Sequence, residues 1–152
     1  RHDLLEANGT ADLVKGERFR VVDFAMISSH AAYLILKLFV ECYDVSCKWF
    51  INFFERIRAS PDLLAALPVA LEQWPMIQTA IGKYHVPNHT EDCRSTNDIH
   101  IQPGVGQLDG DNPERVWAVL GRLGTSVQEM GVGAREDMLN EHFSDWNMRK
   151  LV

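Results

Sequence analysis

Leu36-Lys37-Leu38-Phe39-Val40-Glu41-Cys42-Tyr43-Asp44 is the stretch that says most about the class of fold. Leu36, Leu38, Val40 and Cys42 alternate with Lys37, Phe39, Glu41 and Tyr43. Alternation of period two marks a β-strand, and Asp44 falls at its end. A carboxylate at the end of a central strand is costly to bury unless it is paired or bound to a metal. The chain continues Val45-Ser46-Cys47-Lys48-Trp49, into an amphipathic and aromatic run over residues 48–58 that predicts a helix.

A second acid stands in a comparable setting. In Asp109-Gly110-Asp111-Asn112-Pro113-Glu114-Arg115-Val116-Trp117-Ala118, Asp111 or Asn112 is a helix cap and Pro113 suits the first turn. Glu114 then lies in that turn, where the helix dipole favours a negative charge. The same dipole makes a first-turn Glu common for purely structural reasons, so Asp44 and Glu114 read equally as surface acids or as metal ligands. Two-metal phosphoryl transfer needs rigid, hard oxygen ligands, and Asp and Glu supply them.

On either side of these points the periodicity gives the remaining elements. Residues 1–16 are polar and glycine-punctuated, a loop. Residues 18–22 predict a short strand. Phe24, Ile27, Ala31 and Leu34 recur at helical spacing, with Asp23 as N-cap. Ser60-Pro61-Asp62 starts another helix, and Pro68 and Pro75 kink or split the chain beyond it. Residues 83–87 predict a short extended piece, and residues 89–110 an irregular one. The helix bearing Glu114 should end near Gly124 as a C-cap glycine. A last helix over residues 135–150 carries Leu139, Phe143 and Trp146 on one face. The alternation of strands and helices makes the class α/β.

The bulk composition narrows the function. The chain has 152 residues, enough for one domain with its own core, and residues 1–152 are read as a single domain. The longest apolar runs are broken by Lys37 and Glu41, so none approaches the ~18 apolar residues of a membrane span. Three cysteines are odd in number and sparse, which predicts free thiols in a reducing compartment. Lys and Arg total 15 against 21 Asp and Glu, a net charge of -6. That balance argues against this piece gripping DNA alone, since phosphate contacts need basic clusters. The start at Arg1-His2-Asp3, without Met or leader, reads as a piece of a longer frame.

His85, His89 and Cys93, in Tyr84-His85-Val86-Pro87-Asn88-His89-Thr90-Glu91-Asp92-Cys93, place nitrogen and sulfur ligands at short spacing. Cys47 and His2 are candidates to join them in space. Structural zinc takes four such ligands, but the spacing fits no standard finger, and separate core or hydrogen-bonded residues are the competing reading. A Cys–His nucleophile pair lacks any marked oxyanion site. Pro103-Gly104-Val105-Gly106 and Gly131-Val132-Gly133 lack the Lys-Ser/Thr ending of a phosphate loop and read as turns. Asp109-Gly110-Asp111 hints at calcium, but Leu120 stands where an EF-hand needs Glu. Trp49, Trp74, Trp117 and Trp146 read as core.

In order along the chain, these stretches resemble the Kyakuja–Dileera–Zisupton (KDZ) transposases, abundant in fungal genomes. The resemblance runs through Arg1-His2, Asn8-Gly9, Asp12-Leu13-Val14-Lys15-Gly16-Glu17-Arg18-Phe19 and Asp23-Phe24. It continues through Tyr43-Asp44-Val45-Ser46-Cys47-Lys48-Trp49 and Lys83-Tyr84-His85-Val86-Pro87-Asn88-His89. Pro103-Gly104-Val105-Gly106, Asp109-Gly110, Glu114-Arg115-Val116-Trp117-Ala118 and Phe143-Ser144-Asp145-Trp146-Asn147 complete it.

The resemblance implies part of an RNase H-like (DDE transposase) fold, with a helical insertion between the strand of the second Asp and the helix of the Glu. It implies an Asp-Asp-Glu triad holding Mg2+ or Mn2+, with Asp44 as the second Asp and Glu114 as the Glu. The first Asp and the opening strands are expected upstream of Arg1, so this piece alone should be inactive. Asp3, Asp12 and Asp23 are poor substitutes, being loop or cap residues. His85, His89 and Cys93 match a His/Cys stretch of the family that binds zinc or shapes the site. The implied partner is DNA, at transposon ends and target, in the nucleus, with a homo-oligomer open and no membrane. The alternative is a decayed or domesticated remnant, a non-catalytic interaction module stabilised by zinc.

Overall fold

The structure is a computed structural model that describes residues 4–6, 9–11 and 16–151. These fall in two compact units, Ala11–Asp111 and Arg1–Thr10 with Asn112–Val152.

The larger unit holds a sheet of two parallel strands, β1 (Leu38–Cys42) and β2 (Met76–Ala80), in register from Leu38 opposite Met76 to Cys42 opposite Ala80. Parallel neighbours need a long crossover, and here it is helical. It contains α2 (Ser46–Trp49), α3 (Phe53–Arg58) and α4 (Pro61–Ala66), with a single 3-10 turn at Phe50–Asn52 between the first two. Helix α1 (Phe19–His30) precedes β1, and α5 (Glu91–Asn97) follows β2. The mixture of helices with a parallel sheet is α/β, as expected.

The main core joins Met26 and Ile27 of α1 to Trp49, Phe53, Ile57, Leu63, Leu71 and Trp74. The aromatic run after Asp44 is thus the heart of the unit. Trp49 and Phe53 lie with ring centroids 5.0 Å apart, within the range of favourable aromatic pairs. A smaller cluster of Ala80, Ile99 and Val105 packs with Cys42 at the ends of the strands.

Several expectations change here. Residues 18–22 are not a strand: α1 begins at Phe19, with Arg18 at the cap. Asp23 is consequently no cap. It is fully buried inside α1, where its carboxylate accepts from the Trp49 indole at 2.7 Å and from Arg56 at 2.8 and 2.9 Å. The burial of this charge is matched by three donors. Residues 83–87 are a turn running into the 3-10 helix Val86–Asn88, and the strand partner of β1 is the earlier stretch Met76–Ala80. The region after His89 is less irregular than expected, since it contains α5.

In the smaller unit, α6 (Asn112–Leu120) leads through a 3-10 turn, Gly121–Leu123, to α7 (Gly124–Val127) and then to α8 (Val132–Leu151). Gly124 is not a C-cap. Its φ of -50° is helical and the chain continues through another turn. Val116, Leu120 and Phe143 form the core, with Leu5, Leu123, Leu139 and Trp146 around them. The Leu139, Phe143 and Trp146 face is therefore as the periodicity predicts. Asn147 holds the chain at Leu5, accepting from its N–H at 2.7 Å and donating to its carbonyl at 2.8 Å. Trp117, read as core, is 57% exposed. It lies on α6 one position from buried Val116, so it turns off the apolar stripe.

Candidate metal-binding site

The site is built where the parallel strands end, the edge at which open α/β sheets usually bind ligands. Past Cys42 the backbone makes a tight turn. The Tyr43 N–H donates to the Ala80 carbonyl at 3.1 Å, and the Ser46 N–H to the Tyr43 carbonyl at 3.0 Å. The buried Ser46 hydroxyl donates to the same Ala80 carbonyl at 2.9 Å. Asp44 sits on this turn, directly beyond β1, as the alternation predicts. Tyr43 also donates to Glu17 at 2.6 Å, and burial together with this carboxylate pushes its phenol well above the ordinary range.

The opposing wall comes from the segment after β2. Gly82 opens a turn in which the His85 and Val86 N–H groups both donate to its carbonyl at 3.0 Å. The loop before α6 closes on it, with Lys83 N–H donating to the Asp109 carbonyl at 2.8 Å and Tyr84 N–H to Asp111 Oδ1 at 3.1 Å. Gly110 at the apex has φ of 75°, and a Cβ there would meet Cys42 and Ile99. The extended His89 backbone then leads into α5, whose first turn carries Cys93.

A cleft of about 400 Å3 lies between these walls, with Asp44, Cys47, Lys48, His85, His89 and Cys93 on its surface. Two constellations share it. His85 Nε2 is 3.3 Å from Asp44 Oδ1. His89 Nδ1 is 3.7 Å from Cys47 Sγ and 3.4 Å from Cys93 Sγ. The Cys47, His89 and Cys93 donor atoms all lie within 4.8 Å of one another, a group that could hold a metal ion. Its two sulfurs are free thiols, and burial followed by the Cys47 neighbour raises Cys93 above its ordinary range.

The structure thus sorts the candidates. Of the expected His/Cys set, His89, Cys93 and Cys47 come together, whereas His85 pairs with Asp44. His2 lies outside the described residues, as do Asp3 and Asp12. The third cysteine, Cys42, is apart, with its thiol 3.5 Å from the Gly110 carbonyl. Asp44 is 54% exposed at its side chain. The expectation of a costly buried carboxylate does not apply to it, and His85 is its partner at the cleft mouth. Glu114 lies in the first turn of α6, in the smaller unit, as read from Pro113. The sequence left unmarked the lysine beside Cys47, Lys48, and the positioning serine Ser46. Only their adjacency to Asp44 and Cys47 hints at either.

No helix among the described residues is long and apolar enough to cross a membrane. No curated protein and no solved structure gives a match. A family model described as Kyakuja-Dileera-Zisupton transposase matches residues 1–147. The match takes in both the Asp44 turn and the His/Cys segment, and the chain belongs to the KDZ transposase family.

Proposed function

We propose that this chain is part of a DDE-type DNA transposase catalytic domain of RNase H-like fold, acting by metal-dependent cleavage and strand transfer. The family match over residues 1–147 is the observation that carries the reading. Membership implies DNA as partner and suggests the use of metal. In this reading Asp44 and Glu114 are two of three carboxylates that hold Mg2+ or Mn2+ in the nuclear enzyme. The donor chemistry fits: Asp44 offers a half-exposed carboxylate on a rigid turn at a strand end, and hard cations prefer such oxygens. The bound ion would activate water and stabilise charge on the phosphate. His85 holds the Asp44 carboxylate in place, and Lys48 adds a positive charge beside the cleft to which a DNA phosphate is drawn.

The test is DNA-end cleavage by the full-length protein in Mg2+ or Mn2+. Asp44→Asn and Glu114→Gln should each lower the rate by about two to three orders of magnitude without unfolding the protein. Wild-type rates in both folded variants would end the reading.

The Cys47, His89 and Cys93 group favours a second reading, a zinc-stabilised remnant that binds partners without catalysis. In that case chelation unfolds the chain, and no divalent cation restores cleavage in the full-length protein.

A further inference from the structure

We propose that Cys47, His89 and Cys93 bind one zinc ion, and that this ion braces the Asp44 turn against α5. The inference deepens the transposase reading, yet its first half stands without it.

Geometry carries the first half. With Zn–S of about 2.3 Å and Zn–N of about 2.0–2.1 Å at tetrahedral angles, sulfur and nitrogen must lie about 3.5 Å apart. The two sulfur-to-nitrogen separations are 3.7 and 3.4 Å, and both run to the same atom, His89 Nδ1. The two sulfurs lie within 4.8 Å of each other, so side-chain rotation suffices to bring all three atoms to one ion. Two thiolates and an imidazole select zinc over the hard cations proposed for Asp44.

The surroundings agree. Asn97, one turn along α5 from Cys93, points its amide Nδ2 at Cys93 Sγ from 3.7 Å. Outer donors of this kind orient metal ligands and tune their affinity. His85 is engaged by Asp44, so among the described residues the group supplies three ligands, and a water molecule takes the fourth position on the cleft side. Three ligands among the described residues, with one open position, distinguish this from a closed structural finger.

The second half rests on where the ligands sit. Cys47 is three residues beyond Asp44, in the first turn of α2, and is joined to that turn through Ser46. His89 lies just before α5 and Cys93 in its first turn, both more than forty residues from Cys47. Joining them through one ion closes the cleft across its floor and restrains Asp44 and His85 on its two walls. Cys47, His89 and Cys93 are in this sense positioning residues for Asp44.

The experiment measures metal content of the purified protein by plasma mass spectrometry, in wild type and in Cys47→Ser, Cys93→Ser and Cys42→Ser. One zinc per chain is expected in wild type and Cys42→Ser, with loss in the other two. Cobalt exchanged into the site should give thiolate charge-transfer absorption in wild type and Cys42→Ser, and none in the two ligand variants, which no longer hold the ion. Should the ligand variants misfold, Asn97→Ala keeps all three ligands and should weaken zinc about 10–100-fold. No zinc above background, or zinc retained at full affinity in Cys93→Ser, overturns the site. For the brace, amide hydrogen exchange at residues 44–48 should rise on chelation, and unchanged exchange there overturns it. None of these readouts uses DNA cleavage, so an inactive or non-transposing protein would leave the zinc result intact.

Discussion

The Ser46 hydroxyl donates to the Ala80 carbonyl oxygen 2.9 Å away, tying the turn that carries Asp44 to the end of β2. Ala80 also accepts from Tyr43 N–H, so one carbonyl fixes both sides of Asp44. Ser46→Ala removes one donor without leaving that carbonyl bare. It should cost about 1 kcal/mol, read as a lower urea midpoint at unchanged slope. Its effect on cleavage in the full-length enzyme should exceed its effect on stability, because the turn loosens where Asp44 sits.

Asp23 is the counterpart in the core. Its carboxylate is fully buried and joined to Trp49 and Arg56. Asp23→Ala leaves the half-buried Arg56 guanidinium and the buried Trp49 indole N–H without their acceptor, and should cost about 3 kcal/mol. Equilibrium unfolding followed by tryptophan fluorescence measures it. A cost under about 1 kcal/mol would show that Arg56 reaches solvent instead.

Two glycines separate backbone strain from crowding. Gly104 and Gly110 have φ of 77° and 75°, but a Cβ at Gly104 meets nothing within 4 Å. Gly104→Ala should lose only the cost of a left-handed residue, about 1–2 kcal/mol. Gly110→Ala should lose about 1–3 kcal/mol more, from overpacking against Cys42 and Ile99. The difference between their melting temperatures isolates the crowding at the strand ends.

The thiols give a pH dependence with a definite sign. Burial and the Cys47 neighbour raise Cys93, so the metal-free fold favours the neutral thiol. That contribution to stability is present below the unfolded thiol value of roughly 8.5 and is lost as pH rises through the higher folded value. Zinc reverses the preference, because it takes thiolates and releases protons. The chelated protein should lose melting temperature on passing into alkaline buffer, and the zinc-loaded protein should not. Proton release on zinc addition, followed with a pH indicator in weak buffer, checks the same point.

What the sequence revealed and what it hid have physical reasons. Period-two alternation over residues 36–43 is a local signal that placed β1 with Asp44 beyond its end, but it misread the face: Phe39 is buried while Leu38 and Val40 are exposed. Pro61 and Pro113 mark helix starts by missing an N–H that the first turn does not use. Met76-Ile77-Gln78-Thr79-Ala80 carries no alternation, since Gln78 bonds Gln102 while Ala80 is buried, and so β2 went unread. Val21 and Val22 lent residues 18–22 a strand appearance that packing in α1 overrode. Cys47 and His89 are distant in sequence, and only the strand crossover brings them together. Spacing along the chain groups His85 with them, whereas its side chain turns to Asp44.

Whether Asp44 binds the catalytic metal is decided by Asp44→Cys in the full-length protein. A thiolate there disfavours hard Mg2+ but accepts softer ions. Folded Asp44→Cys should cleave no DNA ends in Mg2+, with activity returning in Mn2+. Cleavage at the wild-type rate in Mg2+ by the folded variant would mean that Asp44 holds no catalytic ion.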